Sequence, residues 1–230
     1  MPSPDPASTF AGNVCRSDAS EPDTGTATLM DPALITGVVL AGGRGSRMGG
    51  LDKGLQLYGG LPLAQHSLRR LQTQVGTVLL NANRHLKQYR AFGAPVVADT
   101  IADFAGPLAG FIAAMENCRT PYLVTVPCDT PQFPADLVAR LARALVGESA
   151  DIAMASAMEA ADDGTPAYFR QPVFCLIKVS LLPDLRAFVA DGGRKIGAWT
   201  GKQNTVQVPF DEPGAFANAN TLAQLQALQQ

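Results

Sequence analysis

The feature that most constrains the fold is a regular alternation of short apolar runs with amphipathic stretches, from Ile35 to about residue 150. A run such as Ile-Thr-Gly-Val-Val-Leu-Ala at 35–41 is typical of a buried parallel strand. The predicted strands span residues 35–41, 77–81, 95–98, 122–126, 152–156 and 172–177. The predicted helices begin near residues 62, 84, 107, 134 and 181, and a closing helix carries Leu222, Leu225 and Leu228.

This alternation predicts βαβ units with right-handed crossovers. The expected fold class is therefore α/β: a three-layer α/β/α, Rossmann-like single domain with a mostly parallel central sheet. In such a sheet, ligands bind beyond the carboxyl ends of the strands. Polar or glycine residues stand at the ends of four of the predicted strands: Gly42-Gly43 follows the first, Asn81 ends the second, Asp99 follows the third and Asp129 follows the fourth. We expect these four strand ends to meet in one crevice.

Composition argues against several classes of function. The 230 residues carry a formal net charge of -2, whereas nucleic-acid-binding surfaces usually bring a basic excess. The four cysteines are scattered and none forms a CxxC pair, so neither a zinc site nor a disulfide framework is expected. No apolar run has the length of a membrane span. We therefore predict a cytoplasmic protein that binds neither nucleic acid nor membrane.

The N-terminal segment differs in composition from the rest of the chain. It is rich in proline and small polar residues, and its four acidic residues against one arginine give residues 1–29 a net charge of -3. This composition predicts a disordered extension, which we place at residues 1–33. A second possibility is that translation begins at Met30, shortly before the first strand.

A glycine-rich loop follows the first strand and ends in Asp-Lys at residues 52–53. Its glycines allow the backbone to approach a ligand closely, and consecutive amide N–H groups in such a turn form an anion site. Arg47 and Lys53 add positive charge, as a triphosphate requires. The loop lacks both the Walker and the dinucleotide spacing. A mobile surface loop with two solvated cations is the alternative, but the position directly after a buried strand favours phosphate binding.

Six motifs together resemble those of the molybdenum cofactor guanylyltransferases. They are Leu-Ala-Gly-Gly-x-x-x-Arg-Met-Gly-Gly-x-Asp-Lys at 40–53, Asn-Ala-Asn-Arg at 81–84, Asp99, Gly-Pro-Leu-Ala-Gly at 106–110, Pro-Cys-Asp-Thr-Pro at 127–131 and Asn-Ala-Asn-Thr at 218–221. The first motif is shared in outline with cytidylyl and sugar-nucleotide relatives. The double glycine with Asp-Lys, joined to Asn-x-Asn-Arg, resembles the guanylyl branch. The resemblance identifies residues 34–230 as a nucleotidyltransferase domain.

The resemblance implies that the chain transfers GMP from GTP to the phosphate of molybdenum-bound molybdopterin, with Mg²⁺ as cofactor and pyrophosphate as product. It also implies a molybdenum insertion protein and cofactor-accepting enzymes as partners. The nearest alternatives are a cytidylyltransferase for the same pterin and a sugar-phosphate nucleotidyltransferase. A non-catalytic nucleotide-binding subunit that delivers the cofactor is a further alternative. The joint presence of Arg47, Lys53 and Asp129 speaks against that alternative.

The same resemblance assigns roles to individual residues. The catalytic candidates are Arg47, Lys53 and Asp129, with Asp129 as the metal ligand. The nucleotide-binding candidates are Leu40, Ala41, Gly42, Gly43, Lys53, Asn81, Asp99 and Asp129. Asp129 has an alternative role as the cap of a helix that begins near Pro134. Asp99 can accept hydrogen bonds from the guanine edge or from a ribose hydroxyl.

The acceptor-binding candidates are Gly106, Gly110, Asn218 and Asn220. The glycine pair can open a helix whose first amides face an anion, or can simply turn the chain. Asn220 can equally cap the closing helix. The chain has Gln171 before Pro172, where the family often has a basic residue or histidine. The turn at 191–195, with two cations, is expected to be a helix ending rather than an acceptor contact.

Overall fold

The computed structural model describes residues 30–42, 51–101, 106–161 and 163–218. The strands are β1 (Ile35–Leu40), β2 (Leu57–Tyr58), β3 (Leu61–Pro62), β4 (Thr77–Asn81), β5 (Val96–Val97), β6 (Tyr122–Pro127), β7 (Ile152–Ala160), β8 (Pro166–Lys178) and β9 (Thr205–Phe210). The α-helices are α1 (Leu63–Gln72), α2 (Leu86–Arg90), α3 (Pro107–Asn117), α4 (Leu137–Gly147), α5 (Leu182–Ala190) and α6 (Ile196–Thr200). Within the described residues, no helix has the length and apolarity needed to cross a bilayer.

Seven strands form one sheet in the order β5-β4-β1-β6-β8-β7-β9. The pairs β5–β4, β4–β1, β1–β6 and β7–β9 are parallel. Strand β8 is antiparallel to both of its neighbours, β6 and β7. The mostly parallel sheet predicted from the sequence is therefore confirmed. We call the edge at which β1, β4, β5 and β6 end the carboxyl edge, and the opposite one the amino edge.

Two apolar clusters lie on the two faces of this sheet. Helices α1 and α4 bury residues such as Leu68, Leu71 and Leu141 on one face. Helices α3, α5 and α6 bury residues such as Phe111 and Trp199 on the other. Both faces are thus covered, which explains why the central strands read as continuous apolar runs. The predicted three-layer α/β/α architecture is confirmed.

Several element boundaries differ from the prediction. Helix α4 begins at Leu137, three residues after Pro134, with Asp136 at its N-cap position. Strands β7 and β8 extend past the predicted ends and pair as far as Ala160 and Pro166. Residues 30–33, which we assigned to the N-terminal extension, have defined structure: Pro32–Leu34 form a 3₁₀ turn, and the Pro32 carbonyl accepts a hydrogen bond from the Gly76 amide.

Sequence analysis did not predict the β2–β3 hairpin, helix α6 or strand β9. The hairpin has only two residues in each strand, and α6 has five residues, so neither gives a readable period. Strand β9 alternates buried Val208 and Phe210 with exposed Gln207 and Pro209, which is the period of a half-buried strand. Pro209 is tolerated because β9 is an edge strand, paired with β7 on one side only, so the missing N–H of proline need not interrupt a ladder.

Some predictions fall outside the described residues. These are the extension at 1–29, the loop glycine Gly43, the catalytic candidate Arg47, the acceptor candidate Asn220 and the closing helix with Leu222, Leu225 and Leu228.

Candidate functional site

The carboxyl edge brings together two of the three predicted catalytic residues. Lys53 comes from the segment after β1, and Asp129 follows β6, 76 residues later in the chain. The Lys53 Nζ atom lies 2.5 Å from Asp129 Oδ2, as a charge-assisted hydrogen bond. The side chains of Lys53 and Asp129 are 22% and 20% exposed to solvent, so a ligand can reach both groups. A polyanion and a cation therefore each find a partner of opposite charge here.

Local structure fixes both members of this pair. Lys53 begins a 3₁₀ turn that is capped by the Asp52 side chain. Asp129 stands in a loop whose Cys128 amide donates to the Leu40 carbonyl over 3.1 Å, which ties the loop to the end of β1. The alternative role of Asp129 as a helix cap is wrong, because α4 begins at Leu137 and Asp136 occupies its N-cap position.

A second polar cluster lies on the other side of β1. The Asn81 amide group donates to Asp99 Oδ1 over 2.8 Å, and the Asn83 amide group donates to Asp99 Oδ2 over 2.7 Å. The backbone N–H of Asp99 in turn donates a hydrogen bond to Asn83 Oδ1 over 2.8 Å. Each carboxylate oxygen thus has one donor and keeps a lone pair for a ligand. The arrangement can accept a bidentate pair of N–H or O–H donors.

Two glycines leave room for this cluster. A Cβ atom on Gly42 would lie 2.9 Å from both Asn81 Oδ1 and Asn83 Nδ2. A Cβ atom on Gly110, in the first turn of α3, would lie 2.5 Å from Asn81 Oδ1. Gly110 is buried beneath Asn81, so its influence on a ligand passes through that amide. Its predicted contact with the acceptor stays a prediction.

At the end of β1, some backbone groups of the predicted nucleotide-binding residues already form hydrogen bonds within the protein. The Ala41 amide donates to the Asn81 carbonyl over 2.8 Å, and the Leu40 carbonyl accepts from Cys128. The Ala41 amide is thus already bonded within the protein, and its predicted contact with the nucleotide stays a prediction. Gly42 contributes its carbonyl to Asn83 Nδ2 over 3.3 Å.

Asn218 lies at the same edge of the sheet, where its side chain forms a hydrogen bond with Thr130. The buried Thr130 hydroxyl lies 2.7 Å from Asn218 Oδ1 and 3.4 Å from Asp129 Oδ1. The side chain of Asn218 itself is exposed. This predicted acceptor residue therefore lies beside the acid of the Lys53–Asp129 pair.

The other predicted contacts take separate positions. Gly106 is exposed and directly precedes α3, so the glycine-proline motif opens a helix as predicted. Gln171 donates to Glu159 Oε1 over 2.9 Å, which pairs β8 with β7. The turn after α5 is a helix ending, as expected, because Arg194 donates to the Val189 carbonyl over 3.0 Å.

Cys128 lies beside Asp129 but does not have the properties of a nucleophile. Burial, followed by the negative charge of Asp129, raises the pKa of the Cys128 thiol well above its ordinary value. A neutral, buried thiol is inert, because the thiolate is the reactive form. Cys128 is therefore a packing residue, as the sequence indicated.

The donor set suits a metal held mainly by its substrate. Within the described ranges, no group of three or more His, Cys, Asp or Glu side chains could hold a metal ion. Mg²⁺ is commonly bound by one or two carboxylates together with substrate phosphates and water. Asp129, half-buried beside a phosphate-binding candidate, fits that mode of binding.

Sequence reasoning gave no role to Asn83, Thr130 or the Asp52–Tyr89 pair described below. Asn83 had a usable signal, since it lies two residues after Asn81 at the end of a strand. Thr130 lies within the Pro-Cys-Asp-Thr-Pro motif, but the sequence did not show that its hydroxyl meets Asn218, 88 residues away. Tyr89 had no signal, because its partner Asp52 lies 37 residues away in the chain.

Comparisons with known proteins agree with the motifs. A family model described as the MobA-like NTP transferase domain matches residues 37–206. A molybdenum cofactor guanylyltransferase from Acidovorax sp. (strain JS42) is 60% identical over 206 residues, which cover 87% of this chain and 98% of that protein. A protein of the same name from Ralstonia nicotianae is 57% identical over 194 residues, with coverage of 84% and 95%.

A solved structure shows the same fold. Molybdopterin-guanine dinucleotide biosynthesis protein A from Archaeoglobus fulgidus superposes with a TM-score of 0.66, covering 84% of this chain and 96% of that one. Because the two sequences share 21% identity, this likeness concerns the fold alone. Family membership rests on the family model and on the more similar sequences.

Proposed function

The chain belongs to the molybdenum cofactor guanylyltransferases, within the MobA-like NTP transferases, and we propose that it transfers GMP from GTP to the phosphate of molybdenum-bound molybdopterin. The observation that carries the proposal is the meeting of Lys53 with Asp129 at the carboxyl edge, beside the Asn81–Asn83–Asp99 cluster. These residues place a cation, a carboxylate and a group that can recognise a nucleobase at one edge of the sheet.

In this reaction, a terminal phosphate oxygen of the pterin attacks the α-phosphorus of GTP. The bond between that phosphorus and the oxygen bridging to the β-phosphate breaks, and pyrophosphate leaves with the bonding electrons. No protein nucleophile is required. Lys53 and Arg47 are proposed to hold the triphosphate and to stabilise the negative charge that grows on the leaving group.

Asp129 is the proposed ligand of Mg²⁺. When bound, this ion supplies charge neutralisation at the phosphate oxygens as pyrophosphate leaves. In the structure, Lys53 and Asp129 neutralise one another. We propose that substrate exchanges these partners, so that Lys53 turns to phosphate and Asp129 to the metal. Once the partners have been exchanged, both charges are in place and need little further reorganisation during the chemical step.

Asp99 is proposed to select guanine. Guanine presents two neighbouring donors on its Watson–Crick edge, N1–H and the exocyclic amino group, whereas cytosine presents one amino donor there. The two carboxylate oxygens of Asp99, held apart by Asn81 and Asn83, match a pair of donors. The backbones of Leu40, Ala41, Gly42 and Gly43 are proposed to contact the nucleotide, and Asn218 the acceptor.

The wider setting belongs to the same proposal. A molybdenum insertion protein would supply the acceptor, and cofactor-accepting enzymes would take the product. These partners rest on family membership alone, and a binding experiment with each purified partner tests them separately.

Pyrophosphate release with GTP, CTP, ATP and UTP tests the proposed function, with molybdenum-bound molybdopterin and Mg²⁺ present. We expect GTP to be used at least about tenfold better than the other nucleotides, and chelation of Mg²⁺ to stop the reaction. Faster turnover of CTP would overturn the guanylyl assignment. Preference for a hexose 1-phosphate as acceptor would overturn the pterin assignment, and nucleotide binding without pyrophosphate release would indicate a delivery subunit.

Asp99→Asn sharpens this test, because it replaces an acceptor oxygen by a donor. We expect the KM for GTP to rise about tenfold or more, with a smaller effect on CTP. Asp151→Asn, at the amino edge, is the matched control and should leave the KM for GTP unchanged. An unchanged KM in Asp99→Asn would contradict the proposed role in guanine recognition.

A further inference from the structure

Lys53 stands between two buried residues that hold it in place. Asp52, before it, is only 7% exposed, and Gly54, after it, is also buried. The Asp52 Oδ1 atom accepts from the Gly54 amide over 3.2 Å, and the Asp52 carbonyl accepts from the Gln56 side chain over 3.1 Å. The direction of the Lys53 side chain is therefore set by the conformation of the turn at Asp52.

The remaining support for Asp52 comes from another part of the chain. The Tyr89 hydroxyl, on α2, donates to Asp52 Oδ1 over 2.6 Å. The side chain of Tyr89 is fully buried. A buried carboxylate requires hydrogen-bond donors, since burial without them is costly. Tyr89 thus supplies the one side-chain donor that the structure gives to this carboxylate among the described residues.

The contact leaves no spare space. A Cβ atom added to Gly54 would lie 2.4 Å from the Tyr89 hydroxyl oxygen. Burial, and then the hydrogen bond to Asp52, raises the pKa of Tyr89 far above its ordinary value. The hydroxyl therefore remains a neutral donor throughout the physiological pH range.

Tyr89 also joins the two halves of the candidate site. Helix α2 begins five residues after Asn81, directly after the Asn-Ala-Asn-Arg motif. One end of this connection carries the cluster around Asp99, and the other end reaches the turn that presents Lys53 to Asp129.

We propose that Tyr89 is a positioning residue for catalysis, because its hydrogen bond to Asp52 holds the turn that aims Lys53 at the phosphate and metal site. The proposal rests on the proposed function of Lys53 in nucleotidyl transfer. Tyr89 touches neither substrate nor metal in this scheme; it acts through Asp52 and the backbone.

Tyr89→Phe tests the proposal, since it keeps the buried ring and removes only the hydroxyl. We expect kcat for pyrophosphate release from GTP to fall roughly tenfold, because small misplacements of a catalytic group are costly. The KM for GTP should change by less than about threefold, since the guanosine contacts at Asp99 remain. Tyr168→Phe is the matched control, because Tyr168 also donates to an aspartate, Asp211, but on the exposed part of β8. It should retain wild-type kinetics.

A double-mutant cycle separates positioning from simple stabilisation. In a Lys53→Met background, Tyr89→Phe should cause no further loss of kcat, because the aimed group is already absent. Because the Lys53→Met variant is expected to be slow, the assay uses enough enzyme to measure its kcat. An equal fractional loss in both backgrounds would show that Tyr89 acts on the fold as a whole and would overturn the proposal. So would a Tyr89→Phe kcat within about twofold of wild type.

A second pair of variants covers the case in which Tyr89→Phe does not fold. Asp52→Asn keeps an oxygen that accepts from Tyr89 and Gly54, and should keep kcat within about threefold of wild type. Asp52→Ala should lose roughly as much kcat as expected for Tyr89→Phe. Equal kcat values for the two Asp52 variants would overturn the proposal. If wild-type enzyme itself releases no pyrophosphate from GTP, the proposed function fails instead.

Discussion

Two lysine–aspartate pairs lie at opposite edges of the same sheet, and their surroundings differ. At the carboxyl edge, Lys53 Nζ is 2.5 Å from Asp129 Oδ2. At the amino edge, Lys178 Nζ is 2.8 Å from Asp151 Oδ1. By distance and charge the two pairs are nearly equivalent.

The difference lies in what each pair connects. Lys178 ends β8 and Asp151 precedes β7, and their backbones are also joined by a hydrogen bond of 3.0 Å. That pair therefore reinforces an existing strand contact. Lys53 and Asp129 instead come from separate segments after β1 and β6, at the carboxyl edge of the parallel strands, where open α/β sheets bind their ligands. Exposure does not distinguish the two pairs, since the Lys178 and Asp151 side chains are 34% and 36% exposed. What distinguishes the Lys53–Asp129 pair is its place after β1 and β6, at the edge where the other polar groups of the candidate site lie.

The largest expected effect is that of replacing Asp129, with Asp151 as its counterpart in the other pair. Asp129→Ala should lower kcat by at least about a thousandfold, because it removes the proposed metal ligand. Asp151→Asn should leave kcat unchanged and alter the free energy of unfolding by less than about 1 kcal/mol, because the pair is about one-third exposed and solvent screens its charges. Steady-state kinetics and urea unfolding measure both. Normal activity in a folded Asp129→Ala variant would remove the metal assignment.

The two lysines provide the next comparison. Lys53→Met should reduce kcat/KM for GTP roughly a hundredfold, since it removes charge stabilisation at the leaving phosphates while keeping the side-chain stem. Lys178→Met should have no effect on kcat/KM. If both variants show the same kinetics, the contrast between the two edges is wrong.

Two glycines in helices extend the comparison to packing. Gly110→Ala would place a Cβ atom 2.5 Å from Asn81 Oδ1 and should raise the KM for GTP about fivefold by displacing that amide. Gly147 ends α4 near the amino edge, and a Cβ atom there meets nothing within 4 Å. Gly147→Ala should therefore stabilise the protein by about 0.5 kcal/mol and leave the KM unchanged. A KM in Gly110→Ala equal to that of wild type would show that Asn81 tolerates the displacement.

The smallest effect concerns alkaline stability. Burial raises the pKa of Cys128 above the ordinary value of 9.0, so the folded state keeps the proton that the unfolded state loses. Stability from this group is complete below pH 9.0 and falls as the pH rises above it. Cys128→Ala should show a shallower fall between pH 9 and 10 in urea unfolding. An unchanged slope would mean that the thiol ionises in the folded protein.

The fold was largely predictable from the chain, although the details of the later strands were not. The strand at Thr77–Asn81 was predicted to the residue, because five consecutive residues read as one buried run. Strand β8 is 13 residues long and its first part is largely exposed, so its apolar pattern marks only the buried half. The antiparallel direction of β8 depends on its hairpin with β7 and is not encoded by periodicity.

The candidate site divides in a similar way. Lys53, Asn81, Asp99 and Asp129 were found because each stands next to the end of a strand or within a recognisable motif. The bond between Tyr89 and Asp52 was not, because nothing in an amphipathic helix distinguishes a tyrosine that packs from one that also donates. Such contacts depend on how helices pack against loops.

The sequence by itself determined the class of fold, the loop that carries the charges and the family. It did so because local periodicity and motif spacing are properties of neighbouring residues. Only the tertiary structure decided which charges meet, since Lys53 and Asp129 are 76 residues apart. It also separated this pair from that of Lys178 and Asp151, because only the direction of the strands decides which residues lie at the carboxyl edge, where ligands bind.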